Sequence, residues 1–157
     1  MIAKKNLKLI IALFLLGASL GCFHEKNKKD SEAALLLGLL PQPVQDLEIV
    51  GNWTDNYGGS HVITNASWDY NTTGYTQQSV IVEYHNASNT LYSQDQSNNL
   101  YSRVVWTQIA NNQFYSCTIV YYKATLEEAK NDPATADATD PATGGCGGFS
   151  WSLMTRN

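Results

Sequence analysis

The sequence predicts an all-β fold, a small antiparallel meander barrel of seven to eight strands with one short helix before the last strand. Three observations support it: segments rich in Val, Ile, Tyr and Trp, turn residues between these segments, and charged residues that make up only 15% of the chain. Successive strands with short connections would leave two long exposed edges, and closing the sheet into a barrel removes them. A two-layer β-sandwich is the alternative.

Six strand segments precede the helix, and residues typical of turns separate them, such as Gly58-Gly59 and Asn111-Asn112. The segments are 46–57, 60–70, 76–85, 89–96, 100–109 and 113–124. After them, TLEEAKND predicts a short helix with Thr125 as its N-cap. The stretch 132–148, rich in Asp, Pro, Ala, Thr and Gly, predicts a loop.

The last strand is expected to begin at Phe149, because Phe149, Trp151 and Leu153 alternate with Ser150 and Ser152. This strand completes the domain, for which we predict the bounds 46–157.

The first 21 residues have the layout of a secretory signal peptide, with three lysines before the apolar run Leu9 to Leu16. The run is shorter than the roughly 20 residues that a membrane-spanning helix needs. Gly21-Cys22 resembles a bacterial lipoprotein signal, which implies that Cys22 is diacylated and becomes the N-terminus after cleavage. An ordinary secreted protein with a free thiol at Cys22 is the alternative.

A tether over 22–45 is predicted to follow, with an apolar run from Ala33 to Leu40 that Pro41 ends. This run is expected to form a short helix that rests on the membrane surface or packs against the domain. A disordered spacer is the alternative.

Gly51-Asn52-Trp53 at the start of the first strand is similar to the G-x-W motif of the lipocalin and avidin group of calycin barrels. The resemblance implies that Trp53 plugs one end of the barrel and that Arg156, at the end of the last strand, lies over its ring. The biotin-holding residues of avidins are not recognisable here, so the resemblance implies a barrel and no particular ligand. Trp53 as an ordinary core residue is the alternative.

Most of the domain also resembles uncharacterised spirochaetal surface lipoproteins, through the segments GNWTDNYGGSHVIT, YSRVVW and GGCGGFSW. This resemblance implies a lipoprotein of the bacterial outer membrane, on its cell-surface or periplasmic face, of unknown activity.

Cys117 and Cys146 are the two cysteines that remain once Cys22 is assigned to lipid. An exported protein meets an oxidising compartment, so the two are expected to form a disulfide. A thiol metal site is the alternative, but it lacks further ligands at suitable spacing.

Composition and motifs disfavour nucleic-acid binding and catalysis. The net charge of −4 disfavours nucleic acid. His61 and His85 have Asp55, Asp69 and Glu83 as potential partners, but no hydrolase, zincin or phosphate-binding motif accompanies them. We therefore expect no enzyme, no cofactor and no metal; a hydrolase would need a histidine and a carboxylate within hydrogen-bond reach in a cleft.

Binding is the class of function that remains, and large aromatic residues are the candidates for it. These residues are Trp68, Tyr84, Tyr101, Trp106, Tyr121 and Trp151. Because aromatic residues occur on both faces of the strands, we expect a mostly filled barrel whose exterior or loops bind a macromolecular partner, a host component or another envelope protein. The alternative is a carrier of a small apolar ligand, which an interior cavity of about 300 Å³ or more would favour.

Overall fold

The protein is described by a computed structural model that covers residues 45–157, and Gln45–Asn157 form one compact unit. The predicted signal peptide, Cys22 and the tether as far as residue 44 lie outside the described residues.

Eight antiparallel strands close into a barrel in the order β1-β10-β7-β6-β5-β4-β3-β2, and β8 and β9 form a separate hairpin. The strands are β1 Gly51–Asp55, β2 Ser60–Ile63, β3 Ser67–Thr72, β4 Tyr75–His85, β5 Thr90–Asp95, β6 Tyr101–Trp106, β7 Gln113–Lys123, β8 Gly145–Cys146, β9 Phe149–Ser150 and β10 Ser152–Arg156. The prediction of a small all-β barrel is confirmed, and the sandwich is excluded.

The segment 60–70, predicted as one strand, forms two strands, which raises the number in the barrel to eight. A tight turn at Thr64 divides it. The Thr64 hydroxyl accepts hydrogen bonds from the backbone N–H groups of Ala66 (3.1 Å) and Ser67 (2.8 Å). Threonine hydroxyls often stabilise turns in this way, so the chain reverses and β2 pairs with β3.

The last strand of the barrel begins at Ser152, and the prediction that it begins at Phe149 is wrong. Phe149 pairs with Cys146 in the small β8–β9 hairpin, and its side chain is 79% exposed. Gly147, with φ +60°, permits the tight reversal between these two strands. The Trp151 N–H then donates to the carbonyl of Pro141, outside the barrel ladder.

The predicted short helix is present as α1, Leu126–Asn131. Thr125 is its N-cap, and a capping box joins the Thr125 side chain to the Glu128 N–H and the Glu128 side chain to the Thr125 N–H. Among residues 45–157, no helix has the length and hydropathy needed to cross a membrane.

The loop after α1 lies on the outer wall of the barrel. The Arg103 guanidinium, on β6, donates to the backbone carbonyls of Lys130 (3.3 Å), Asp132 (3.2 Å) and Ala134. Lys123 on β7 forms an ion pair with Asp132 at 2.7 Å. These contacts hold the connection from α1 to β8 against β6 and β7.

One half of the barrel interior is filled by apolar side chains centred on Trp53, which is fully buried. Phe114 meets the Trp53 ring edge-on, with 4.7 Å between ring centroids. The residues before β1 close this end, since the Trp53 indole N–H donates to the Ile49 carbonyl at 2.9 Å. The cluster consists of Leu47, Ile49, Trp53, Ile63, Ile81, Leu91, Val104, Trp106, Phe114 and Met154.

Arg156 covers Trp53 at the filled end. Its guanidinium carbon lies 4.4 Å from the centroid of the Trp53 ring, and its Nη2 donates to the Val50 carbonyl at 3.2 Å. Gly51, with φ +151°, lies beside this pair, and a Cβ there would come within 3.2 Å of Arg156 Nη1. These positions correspond to the plug and its basic cover that the G-x-W motif implies.

Candidate functional site

The other half of the barrel interior holds a cavity of about 530 Å³. Along several strands the inward position changes from a large apolar residue to a small or polar one, as from Leu91 to Ser93 and from Phe114 to Ser116. The small side chains leave the volume unfilled. The expectation of a mostly filled barrel is therefore wrong for this half, where the cavity exceeds the 300 Å³ limit.

One wall of the cavity is an arc of serine hydroxyls, one from each of five adjacent strands, which we call the hydroxyl arc. Its members are Ser79, Ser93, Ser102, Ser116 and Ser152. Ser93 is the direct cross-strand neighbour of Ser102, and Ser116 is that of Ser152. Among residues 45–157, the hydroxyls of Ser93, Ser116 and Ser152 have no hydrogen-bond partner. Because no fully enclosed polar side-chain atom there lacks a partner, these hydroxyls are accessible from the cavity that their residues line.

The opposite wall comes from β1, β2 and β3 and carries a hydrogen-bonded chain of three side chains. The His61 Nε2 lies 3.0 Å from Asp55 Oδ2, and the Trp68 indole N–H donates to His61 Nδ1 at 3.0 Å. The Tyr70 ring stacks on the His61 ring at 4.7 Å. Because an indole nitrogen can only donate, Nδ1 is the acceptor and the His61 proton resides on Nε2, facing Asp55.

The electrostatics of this wall favour a neutral imidazole and an ionised carboxylate. Burial lowers the pKa of His61, and the adjacent Asp55 offsets only part of that effect. Burial alone would raise the pKa of Asp55. Hydrogen bonds from His61 and from the N–H groups of Gly59 and Tyr57 outweigh burial, so the pKa of Asp55 lies below its ordinary value.

Gly59 allows the β1–β2 turn to close over Asp55. Its N–H donates to Asp55 Oδ1 at 2.8 Å. A Cβ on Gly59 would lie 2.3 Å from the Tyr70 ring and 2.7 Å from Asp55 Oδ2, a clash on both sides. The second glycine of the Gly58-Gly59 pair is therefore needed for the close approach of backbone to the cavity wall.

Aromatic side chains surround the mouth of the cavity. Tyr57, Tyr121, Tyr122 and Phe149 line the cavity and are each more than half exposed. Tyr122 has φ +55°, which is rare for a bulky residue and costs energy. Strain of this kind is concentrated at binding and catalytic sites, so the conformation marks the mouth as a candidate site.

The Cys117–Cys146 disulfide is present, with 5.6 Å between the Cα atoms, and the prediction of this bond is confirmed. It joins β7 to the β8–β9 hairpin, and both cysteines line the cavity together with Phe149 and Ser150 of that hairpin. The bond thus fixes part of the cavity wall.

The six aromatic residues proposed for binding lie in different environments. Trp68 and Tyr121 line the cavity. Trp106 is buried in the filled half, and Trp151 is buried under the α1–β8 connection, where its indole N–H donates to the Asp137 carbonyl at 3.1 Å. Tyr84 donates to the Gln45 carbonyl at 3.0 Å, and Tyr101 is half-buried on β6.

His61 and His85, the two histidines within the described residues, are separated by the fold and have different carboxylate partners. His61 faces Asp55 in the cavity, whereas His85 lies outside it and pairs with Glu83 at 2.8 Å. Asp69 sits on β3 opposite Val62 and faces neither histidine along the β2–β3 ladder. No group of three or more metal-ligating side chains occurs within the described part of the chain.

The hydroxyl arc was missed from the sequence because single serines in strands carry little signal. An indication was nevertheless present, since Ser79 and Ser93 stand two residues from Ile81 and Leu91 and therefore share their inward face. A serine that shares the inward face of core residues, repeated on several consecutive strands, predicts an unfilled layer of the barrel interior.

The fold and the cavity are compatible with a small disulfide-bonded barrel binding protein. No protein-family model, no curated protein and no solved structure matches the chain. The lipocalin-like and spirochaetal resemblances accordingly stay predictions.

Proposed function

We propose that this domain binds a small molecule in the half of its barrel that contains the cavity, which we call the open half. The cavity of about 530 Å³ carries the proposal, since ligand pockets have volumes of roughly 300–1,000 Å³. Its walls combine unpartnered hydroxyls with aromatic rings, which can fix the orientation of a ligand and cover its flat faces. A small ligand therefore takes precedence over the macromolecular partner favoured by the sequence.

We propose binding without catalysis. His61 and Asp55 do lie within hydrogen-bond reach in a cavity, as a hydrolase would require. Both ring nitrogens of His61 are nevertheless engaged, Nε2 by Asp55 and Nδ1 by Trp68. A general base needs a ring nitrogen directed at the substrate or the nucleophile, so this arrangement supports a structural role for the pair.

The test is ligand-detected NMR with a fragment library of neutral, cationic, anionic and apolar compounds. The full-length protein is kept in a detergent whose head group contains no sugar. A Ser93→Phe variant places a phenyl ring inside the cavity, and a Ser88→Phe variant changes an exposed serine in the turn after β4. We expect fragments that bind the wild type and Ser88→Phe to lose at least about tenfold in affinity for Ser93→Phe, because the new ring occupies their site. Equal binding by all three proteins contradicts the proposal, as does a wild type that binds no small molecule of any class.

A macromolecular partner at the cavity mouth is the second candidate, and the exposed aromatic rim supports it. Phe149 is its most exposed member. Binding of the purified protein to intact cells or envelope membranes should then fall for Phe149→Ser and stay unchanged for Ser93→Phe. The reverse pattern rejects this candidate.

We also propose that Cys22 is lipidated and holds the protein at a bacterial outer membrane. The support is the order of basic, apolar and small residues before Cys22. Incorporation of labelled palmitate into the wild type, but not into Cys22→Ser, is the expected result. Equal labelling of both proteins rejects the anchor.

A further inference from the structure

We infer that the ligand of the open half is an uncharged, hydroxyl-rich molecule, a neutral sugar of about one or two rings. This inference rests on the proposed function and adds the chemical class of the ligand. It follows from the charges, hydrogen-bonding groups and aromatic surfaces of the cavity, taken in turn.

The charge of the cavity disfavours an anionic ligand. Asp55 is part of the wall, and Asp95, 5% exposed, lies on the inward face of β5 just beyond Ser93. The lining contains no lysine or arginine. A carboxylate or phosphate entering this space would meet negative charge without a cationic partner, which weakens its binding. This argues against fatty acids, phosphosugars and other acidic ligands.

A cationic ligand is disfavoured because both carboxylates already have partners. Asp55 accepts hydrogen bonds from two backbone N–H groups and faces His61. Asp95 accepts from the backbone N–H and hydroxyl of Ser97 and from the Gln77 amide at 3.1 Å. An ammonium group would have to displace these donors to form a direct ion pair, at the cost of each displaced hydrogen bond.

The hydroxyl arc matches a ligand that both donates and accepts hydrogen bonds. A serine hydroxyl donates one hydrogen bond and accepts two, and those of Ser93, Ser116 and Ser152 are unused within the described residues. An apolar ligand would remove these hydroxyls from water without replacing their hydrogen bonds, which is unfavourable. Sugar hydroxyls have the same dual capacity, so they can pair with the arc at several points.

Aromatic surfaces supply the remaining contacts. Tyr70 and Trp68 line the cavity on the wall opposite the arc, and Tyr121 and Tyr122 lie at its mouth. Aromatic rings offer large, rigid apolar surfaces. A sugar ring has apolar C–H faces and hydroxyls around its edge, so it can contact rings on one side while its edge meets the arc.

The test compares neutral sugars with charged counterparts of the same skeleton. Glucose, galactose, N-acetylglucosamine and maltose are titrated against the full-length protein in a sugar-free detergent, alongside glucuronate, galacturonate, glucosamine and glucose 6-phosphate. Saturation-transfer NMR detects binding, and calorimetry measures affinity. We expect at least one neutral sugar to bind and its charged counterparts to bind roughly tenfold or more weakly.

Two variants test the arc itself. Ser116→Ala and Ser152→Ala should each lower the affinity for the neutral sugar that binds by about two- to tenfold, the usual effect of one lost hydrogen bond. Ser88→Ala, in the exposed turn after β4, should leave its affinity unchanged. Thermal unfolding of each variant shows whether the fold is retained. An unchanged affinity in both arc variants overturns the role of the hydroxyl arc.

The outcomes separate this inference from the proposed function. If fragments bind in the cavity but no neutral sugar does, or if charged counterparts bind equally well, the ligand class is wrong and the small-molecule site stands. If neither fragments nor sugars bind the wild type, both proposals fail.

Discussion

Replacing Trp53 by Ala is expected to lower the free energy of unfolding by about 3–5 kcal/mol, the usual cost of removing a buried large aromatic side chain. Trp53 is fully buried and contacts Phe114, and its indole N–H holds Ile49 at the closed end of the barrel. Its loss would leave a void among well-packed side chains. Urea denaturation monitored by circular dichroism at low temperature measures the change.

Arg156→Met is the matched control, and it tests the guanidinium that lies over the Trp53 ring. It removes the cation over the ring and keeps an apolar chain of similar length, so the expected loss is about 0.5–2 kcal/mol. A loss for Trp53→Ala no larger than that for Arg156→Met would contradict the view that Trp53 organises the filled half.

Replacing both Cys117 and Cys146 by Ser is expected to destabilise the protein by about 3–4 kcal/mol, from the chain-entropy model. The two residues are 29 positions apart, and without the bond the unfolded chain regains the freedom of that loop. For a domain with a typical stability of about 5–15 kcal/mol, the loss is substantial. Urea denaturation of the double variant and of the wild type gives the difference.

Reductant provides the internal control for the disulfide prediction. It should lower the stability of the wild type towards that of the double variant and leave the double variant unchanged. A double variant within about 1 kcal/mol of the oxidised wild type would show that the hairpin is held by its other contacts, such as those of Trp151.

The architecture was predictable because it depends on local patterns. Strand segments, turn residues and the pair of exported cysteines identified the barrel and the disulfide, and Thr125 marked the start of α1. The strand boundaries depended on single contacts. Thr64 makes a turn through its hydroxyl, and Gly147 reverses the chain before β10, neither of which strand propensity reveals.

The open half could not be predicted because it depends on which residues face inward. Bulges shift the register of β4 against β5 after Ile81 and of β6 against β7 around Arg103. A bulge changes which face later residues occupy, so alternation counted along a whole strand assigns some side chains wrongly. Tyr92 and Tyr115 alternate with the inward residues Ser93 and Ser116 and so face outward, where their bulk does not fill the interior.

The bulk of the tyrosines is therefore a poor guide to interior volume. The Asp55–His61–Trp68 chain was equally hidden, because its members come from three strands and meet only in the register of the β1–β2 and β2–β3 hairpins. The sequence pointed to His61 and Asp55 as partners and to Trp68 as a binding residue, but not to Trp68 as the donor that determines the histidine tautomer.

The most direct test of the open half compares two substitutions on the same face of β5. Ser93 borders the cavity, and Leu91, two residues earlier, is fully buried in the filled half. Ser93→Phe should change the free energy of unfolding by less than about 1 kcal/mol, since the cavity has room for the ring, whereas Leu91→Phe should cost about 1–3 kcal/mol through overpacking. Equal destabilisation by the two substitutions in urea denaturation would show that the interior at Ser93 is already filled and would contradict the binding cavity on which this account of the protein depends.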